Sequence, residues 1–188
     1  MFFYIELIKI DRKKRGVVLF GLRKLTALSL LISLGLVLHI VEGYIPTTLI
    51  PGARLGLANT VNLIGLVIFG FRGGLQILIL RILLSSLLIG SFLTPGFYLS
   101  LNGGLAGFAG MCFLFFFYRE EFSLIGISIM GAAFHNLGQI VTIYFIIDNP
   151  GIIYYLPFLL LLSIPTGIGV GLISIFTIEY LPDYIRSG

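Results

Sequence analysis

Read for apolar and polar positions, the chain falls into long apolar runs separated by short breaks that carry turn residues or charge. A helix crossing a bilayer needs about 20 predominantly apolar residues. By that measure the pattern predicts six spans, over 24–44, 54–71, 73–91, 97–118, 123–147 and 152–179. The breaks read YIPTTLIPGAR, GFRGG, GSFLTPGF, YREEF and DNPG. The run from Ile82 to Tyr118 holds no charged residue and is too long for one crossing; Ser91, Thr94, Pro95 and Gly96 divide it. The boundary at Arg72, between two short spans, has the least punctuation. The predicted fold is an all-α membrane protein of six transmembrane helices (24–180), with a basic interfacial segment before it (1–23) and a short tail after it (181–188).

Composition strengthens the picture. Hydrophobic residues make up 58% of the chain and charged ones 11%, where a soluble domain has about 45–50% and about 25%. With 24 glycines and no tryptophan, the sequence suits closely packed helices. Barrel strands would alternate polar and apolar residues instead. Cys112 is the single cysteine, so a disulfide framework or a multi-cysteine metal site is excluded.

Charge sets the orientation. Seven of the 12 Lys and Arg residues precede position 25. With six spans, Arg72, Arg119 and Arg186 fall on that same side. The positive-inside rule then places both termini in the cytoplasm. The net charge of +4 is thus a topology signal and no sign of nucleic-acid binding. The first span is too long for the apolar part of a signal peptide, and no small-residue cleavage site follows it.

Against this apolar background, polar residues inside spans stand out, because an ionisable side chain at a helix centre costs about 2.5–3.5 kcal/mol on insertion scales. GAAFHNLGQIVTIYFII carries His135 and Gln139 four apart on one helical face, with Asn136 about a quarter turn away. RLGLANTVNL puts Asn59 and Asn62 three apart, with Arg54 at the outer end. Arg81 lies mid-span in GGLQILILRILLSSLLIG, too deep to snorkel, and Glu42 is its candidate partner. In LHIVEGYIP, His39 and Glu42 share a face. Asn102 is the strong polar group of SLNGGLAGFAGM, where Gly103/Gly107 and Ala106/Gly110 have the small-xxx-small spacing of close helix contacts. Ser29 and Ser33 repeat that spacing in the first span. Pro157, Pro165, Gly167, Gly169 and Gly171 predict a kinked, adaptable last helix. Each amide can be interhelical glue; spread over four spans, the set predicts a polar cavity open to the outside.

Several chemistries are missing. No phosphate-loop motif exists for ATP hydrolysis, no acidic cluster for magnesium–diphosphate chemistry, and no HExxH or GxSxG motif. No metal site and no cofactor are expected.

The blocks LHIVEGYIP, PGARLGLANTVNL, SLNGGLAG and FSLIGISIMGAAFHNLGQI resemble the Gx transporter family over roughly residues 25–147. Its members carry the description heptaprenyl diphosphate synthase component I, although the paired aspartate-rich motifs of soluble prenyl synthases are absent here. The family is similar to the S components of energy-coupling factor transporters: six-helix, non-enzymatic proteins of the prokaryotic cell membrane. Those bind a small molecule from outside and join a transmembrane coupling subunit and two cytoplasmic ATPases. The resemblance implies ligand-binding roles for Glu42, Asn59, Arg81, His135, Asn136 and Gln139. It also implies a lid at 45–53, with Pro46, Pro51 and Gly52, and a docking face at Ser29 and Ser33. Two other readings stay open: a membrane subunit or assembly factor in isoprenoid or quinone metabolism, and a lipid-modifying enzyme using His135 and Glu42 as acid and base.

Overall fold

The structure, a computed structural model, describes residue 22, residues 24–43 and residues 56–180. Arg54, the lid residues Pro46, Pro51 and Gly52, the basic lead-in and the C-terminal tail lie outside the described residues. The described residues are all-helical. Five helices are long and apolar enough to cross a membrane: α1 (Lys24–Gly43), α2 (Asn59–Ile89), α3 (Pro95–Phe117), α4 (Leu124–Ile147) and α5 (Leu156–Tyr180). A 3₁₀ helix, Pro150–Tyr155, leads into α5.

Local chemistry explains the ends. Gly90 closes α2 in the left-handed region (φ 73°), and Pro95 opens α3, where a missing N–H costs nothing. The Ser123 hydroxyl accepts the N–H of Gly126 at 3.3 Å and starts α4. The Asn149 side chain does the same for the 3₁₀ helix.

The sequence predicts two spans where the structure has one element, α2. GFRGG contains no proline, so helical hydrogen bonding resumes at once after its single interruption. That interruption is Gly70, at φ 68° and ψ −168°, a conformation open essentially to glycine alone. The break falls two residues before the Arg72 boundary. There the chain folds back on itself. A Cβ placed on Gly65 would lie 3.4 Å from the Cα of Gly74, and one on Gly74 would lie 3.2 Å from the N of Leu66. In a straight helix, residues nine apart are separated by about 13 Å. α2 is therefore a pair of antiparallel arms, 59–69 and 71–89.

Contacts with α1 measure how far each arm runs. Gly56, just before the first arm, meets Glu42 near one end of α1. Val61 lies at Gly35 in its middle. Phe69 sits 5.9 Å from the Lys24 ammonium at its other end. The second arm returns, bringing Arg81 to Gly35 and His39. The first arm thus passes along most of α1's length.

The rest of the bundle is assembled through glycine. Gly107 of α3 would place a Cβ 2.7 Å from the carbonyl oxygen of Gly131, and Gly138 of α4 would place one 2.8 Å from Ala106 Cβ. The small-xxx-small spacing of α3 therefore does what it predicts, admitting α4 almost to backbone contact. In α5 the sequence predicts adaptability from its glycines, and the structure gives two of them another task. A Cβ on Gly167 would come within 2.5 Å of Ile129 Cα, and one on Gly171 within 2.8 Å of Ile125 Cα. They seat α5 on α4. Pro165 lies inside an α5 without interruption. A buried cluster of Leu63, Leu66, Leu78, Ile82, Phe108, Met111 and Ile127 joins α2, α3 and α4.

Candidate functional site: two buried polar seams

The sequence-predicted polar residues form two groups. The first lies between α1 and α2. Gly35, His39 and Glu42 occupy one face of α1, at i, i+4 and i+7, and all three are buried, whereas half of that helix is exposed. Arg81 faces them and is 3% exposed. Its stem lies where a Cβ on Gly35 would be, 2.7 Å from Arg81 Cδ, so the glycine makes room for the guanidinium. Arg81 Nη1 is 3.2 Å from His39 Nδ1. A guanidinium has donors and no acceptor, so Nδ1 of His39 accepts. His39 is then the neutral tautomer with its proton on Nε2, and the positive charge of the pair rests on Arg81.

Glu42, weighed as a partner for Arg81, has its Oε1 on backbone donors. It accepts the N–H of Gly56 and, at 3.4 Å, that of Leu57. The carboxylate sits one turn before the first residue of α2, where unsatisfied N–H groups and the helix dipole favour negative charge. Gly56 in turn borders Asn59, which accepts a hydrogen bond from Asn62 Nδ2 at 3.2 Å. A continuous polar seam thus runs from Arg81 through His39 and Glu42 to Asn59 and Asn62. Asn62 is fully buried, and among the described residues nothing hydrogen-bonds its Oδ1.

The second group lies between α3 and α4. His135 and Gln139 share a face, as their spacing predicts, and rest on Gly103 and Gly107. A Cβ on Gly103 would meet Gln139 Cγ at 2.8 Å and His135 Cε1 at 3.1 Å. Gln139 is 4% exposed, and neither amide atom has a hydrogen-bond partner among the described residues. A buried amide left so costs about 1–3 kcal/mol, so a group that completes it would be bound with a matching gain.

Two predicted ligand residues also link helices. Asn102 donates to Thr142 Oγ1 at 3.0 Å, linking α3 to α4. Asn136 donates to the carbonyl of Leu159 at 2.8 Å, linking α4 to α5. Each bond uses one of the two N–H donors of its amide and leaves the other donor and the oxygen. Ser29 and Ser33 lie on the exposed face of α1, away from the Gly35–His39–Glu42 face.

The clefts that border the described bundle include two with polar lining residues. One, of about 690 Å³, opens between α3 and α4 and is lined by Tyr98, Asn102, Gly138, Thr142 and Phe145 among others. The other, of about 470 Å³, lies at the Gly70 bend beside Lys24 and Arg72. Asn102 is the one predicted ligand residue that lines either, so neither is the shared hollow the sequence predicts. The sequence reading missed Gly35. Its signal was its place four residues before His39 on an otherwise aliphatic face.

Long apolar helices and buried polar seams define a multi-pass helical membrane protein. Within that class, the chain belongs to the family described as heptaprenyl diphosphate synthase component I, which matches it over residues 31–177. The match extends through most of α5, beyond the blocks that carried the resemblance. No curated protein and no solved structure matches the chain.

Proposed function

We propose that the chain is a non-catalytic, substrate-binding membrane subunit of the S-component kind. It captures a small anionic or amphiphilic metabolite from outside the cell and hands it to a separate transmembrane coupling subunit driven by two cytoplasmic ATPases. The observation that carries this reading is the mid-span pair of Arg81 with a neutral His39. A guanidinium buried this deeply is costly in a bilayer, and its fork of donors matches carboxylate or phosphate. The buried amides of Asn62 and Gln139 add unspent hydrogen-bonding capacity.

The topology that goes with it has six crossings and both termini in the cytoplasm of a prokaryotic cell. It is supported by the antiparallel arms of α2, each counted as a crossing. That count leaves Arg72, Arg119 and Arg186 on the side of the basic N-terminal segment, as the positive-inside rule requires.

The second reading, a structural subunit of a synthase or of isoprenoid handling, is favoured by the Asn102–Thr142 and Asn136–Leu159 hydrogen bonds and by the words of the family description. Native mass spectrometry of the detergent-purified chain separates the two. A retained small molecule, lost in Arg81→Ala but kept in Asn136→Ala, is the expected result. No bound molecule, with both variants merely less stable, establishes the structural role and ends the transport one.

A further inference from the structure

The cleft at the Gly70 bend carries chemistry that the ligand site does not use. Among the described residues, its polar lining is Lys24 at the start of α1 with Arg72 and Gln76 from the second arm of α2, and it includes no carboxylate. Two cations facing one hollow repel each other unless an anion enters between them. The walls are apolar: Leu25 and Leu28 from α1, with Phe69 and Phe71 flanking the bend. Glycine builds those walls. Gly73 lies directly beneath Phe69, whose Cβ occupies the space a Gly73 side chain would need. Gly74 leaves room for the Phe108 ring, which holds Phe71 at a 5.8 Å centroid distance. The Lys24 ammonium stands over the Phe69 face, an arrangement that keeps a cation in place without neutralising it.

We propose that this cleft is a specific site for the phosphate headgroup of an anionic phospholipid. Lys24 and Arg72 hold the phosphate and Gln76 donates to it, while the acyl stem lies along Leu25 and Phe71. The volume of about 470 Å³ falls within the range of about 300–1,000 Å³ typical of small-molecule sites. Basic pockets between membrane helices recognise lipid phosphates in this way. Headgroup and apolar stem need opposite surroundings, and the cleft offers both within one turn of α1. The site stands apart from the Arg81 seam and does not depend on how that seam is read.

The test uses the full chain, purified and exchanged into detergent with equal amounts of phosphatidylglycerol and phosphatidylcholine, with retained lipid counted by native mass spectrometry. The expected result is one phosphatidylglycerol retained in at least fivefold preference, with the preference lost in the Lys24→Gln/Arg72→Gln double variant. Arg119→Gln, a cation elsewhere on the surface, leaves it unchanged. Equal loss in Arg119→Gln would mean diffuse charge attraction and overturn the site. Displacement of the lipid by millimolar glycerol phosphate would assign the cleft to soluble phosphates and overturn the lipid claim. Should the double variant fail to fold, Gln76→Glu puts a carboxylate at an exposed position in the cleft. It must abolish the preference while the melting temperature holds.

Discussion

At the scale of single residues, glycine decides where charge can be buried. Gly35 has no functional group, yet a Cβ there would lie 2.6 Å from Val61 Cγ2 and 2.7 Å from Arg81 Cδ. Gly35→Val should therefore lower stability by about 1–3 kcal/mol, the usual cost of overpacking, and push Arg81 off His39. Thermal unfolding in detergent reads the first effect and ligand retention the second. Gln139→Leu should behave in the opposite sense. Removing an amide with no hydrogen-bond partner leaves stability unchanged or raises it, by up to about 1–3 kcal/mol, while a ligand that bonds to that amide is lost. A clear fall in melting temperature would show that the amide is satisfied structurally.

These pairings mark the limit of what the residues alone revealed. The spacing of His39 with Glu42 and of His135 with Gln139 gave their shared faces, because helical periodicity is local. It could not say which face meets which neighbour. The helix-linking bonds of Asn102 and Asn136 are invisible to such spacing, because their partners, Thr142 and Leu159, lie 40 and 23 residues away. The room made by Gly35 depends on the rotation of two helices at once, which no pattern within one span records.

At the scale of elements, the turn chemistry was legible and the boundaries agree to within a few residues. The start of α3 at Pro95 is two residues from the predicted 97, and α4 ends at Ile147 as expected. α2 was harder, since its reversal rests on one backbone conformation and no stop signal. A Cβ on Gly70 would touch nothing within 4 Å, so only its dihedral angles forbid a side chain. Gly70→Ala should cost about 1–3 kcal/mol in strain. Gly169→Ala, equally unobstructed but without a positive φ, should be neutral or slightly stabilising, since alanine is the better helix former. Equal effects at both positions would contradict the sharp bend. Asn136→Ala should cost about 1 kcal/mol through the lost bond to Leu159, measured as a lower melting temperature with ligand retention intact.

At the scale of the whole molecule, the fold-back of α2 fixes the sidedness of everything after it. If α2 crosses twice, the loop at 118–122 shares a side with the N-terminus and the loop at 148–151 lies opposite. If it crosses once, both assignments reverse. A single cysteine makes the measurement simple. In a Cys112→Ser background, Asn149→Cys should react with an impermeant maleimide on intact cells, and Glu120→Cys should react only after lysis. The reverse pattern would rule out two crossings.

The bundle is also unevenly bound together. About 61% of the apolar window of α3 is buried inside the molecule, against 17% for that of α1. Where α3, α4 and α5 meet, glycines set main chain against main chain, and such a joint has no rotamers through which to yield. α1 rests on α2 through a small apolar cluster, Leu28 with Val61 and Ile77, and the polar pairs at Arg81 and Gly56. Amide hydrogen exchange should therefore be fastest along α1 and slowest across Gly103–Gly138. Any gating that this protein performs would be a swing of its first helix against a stiff three-helix block.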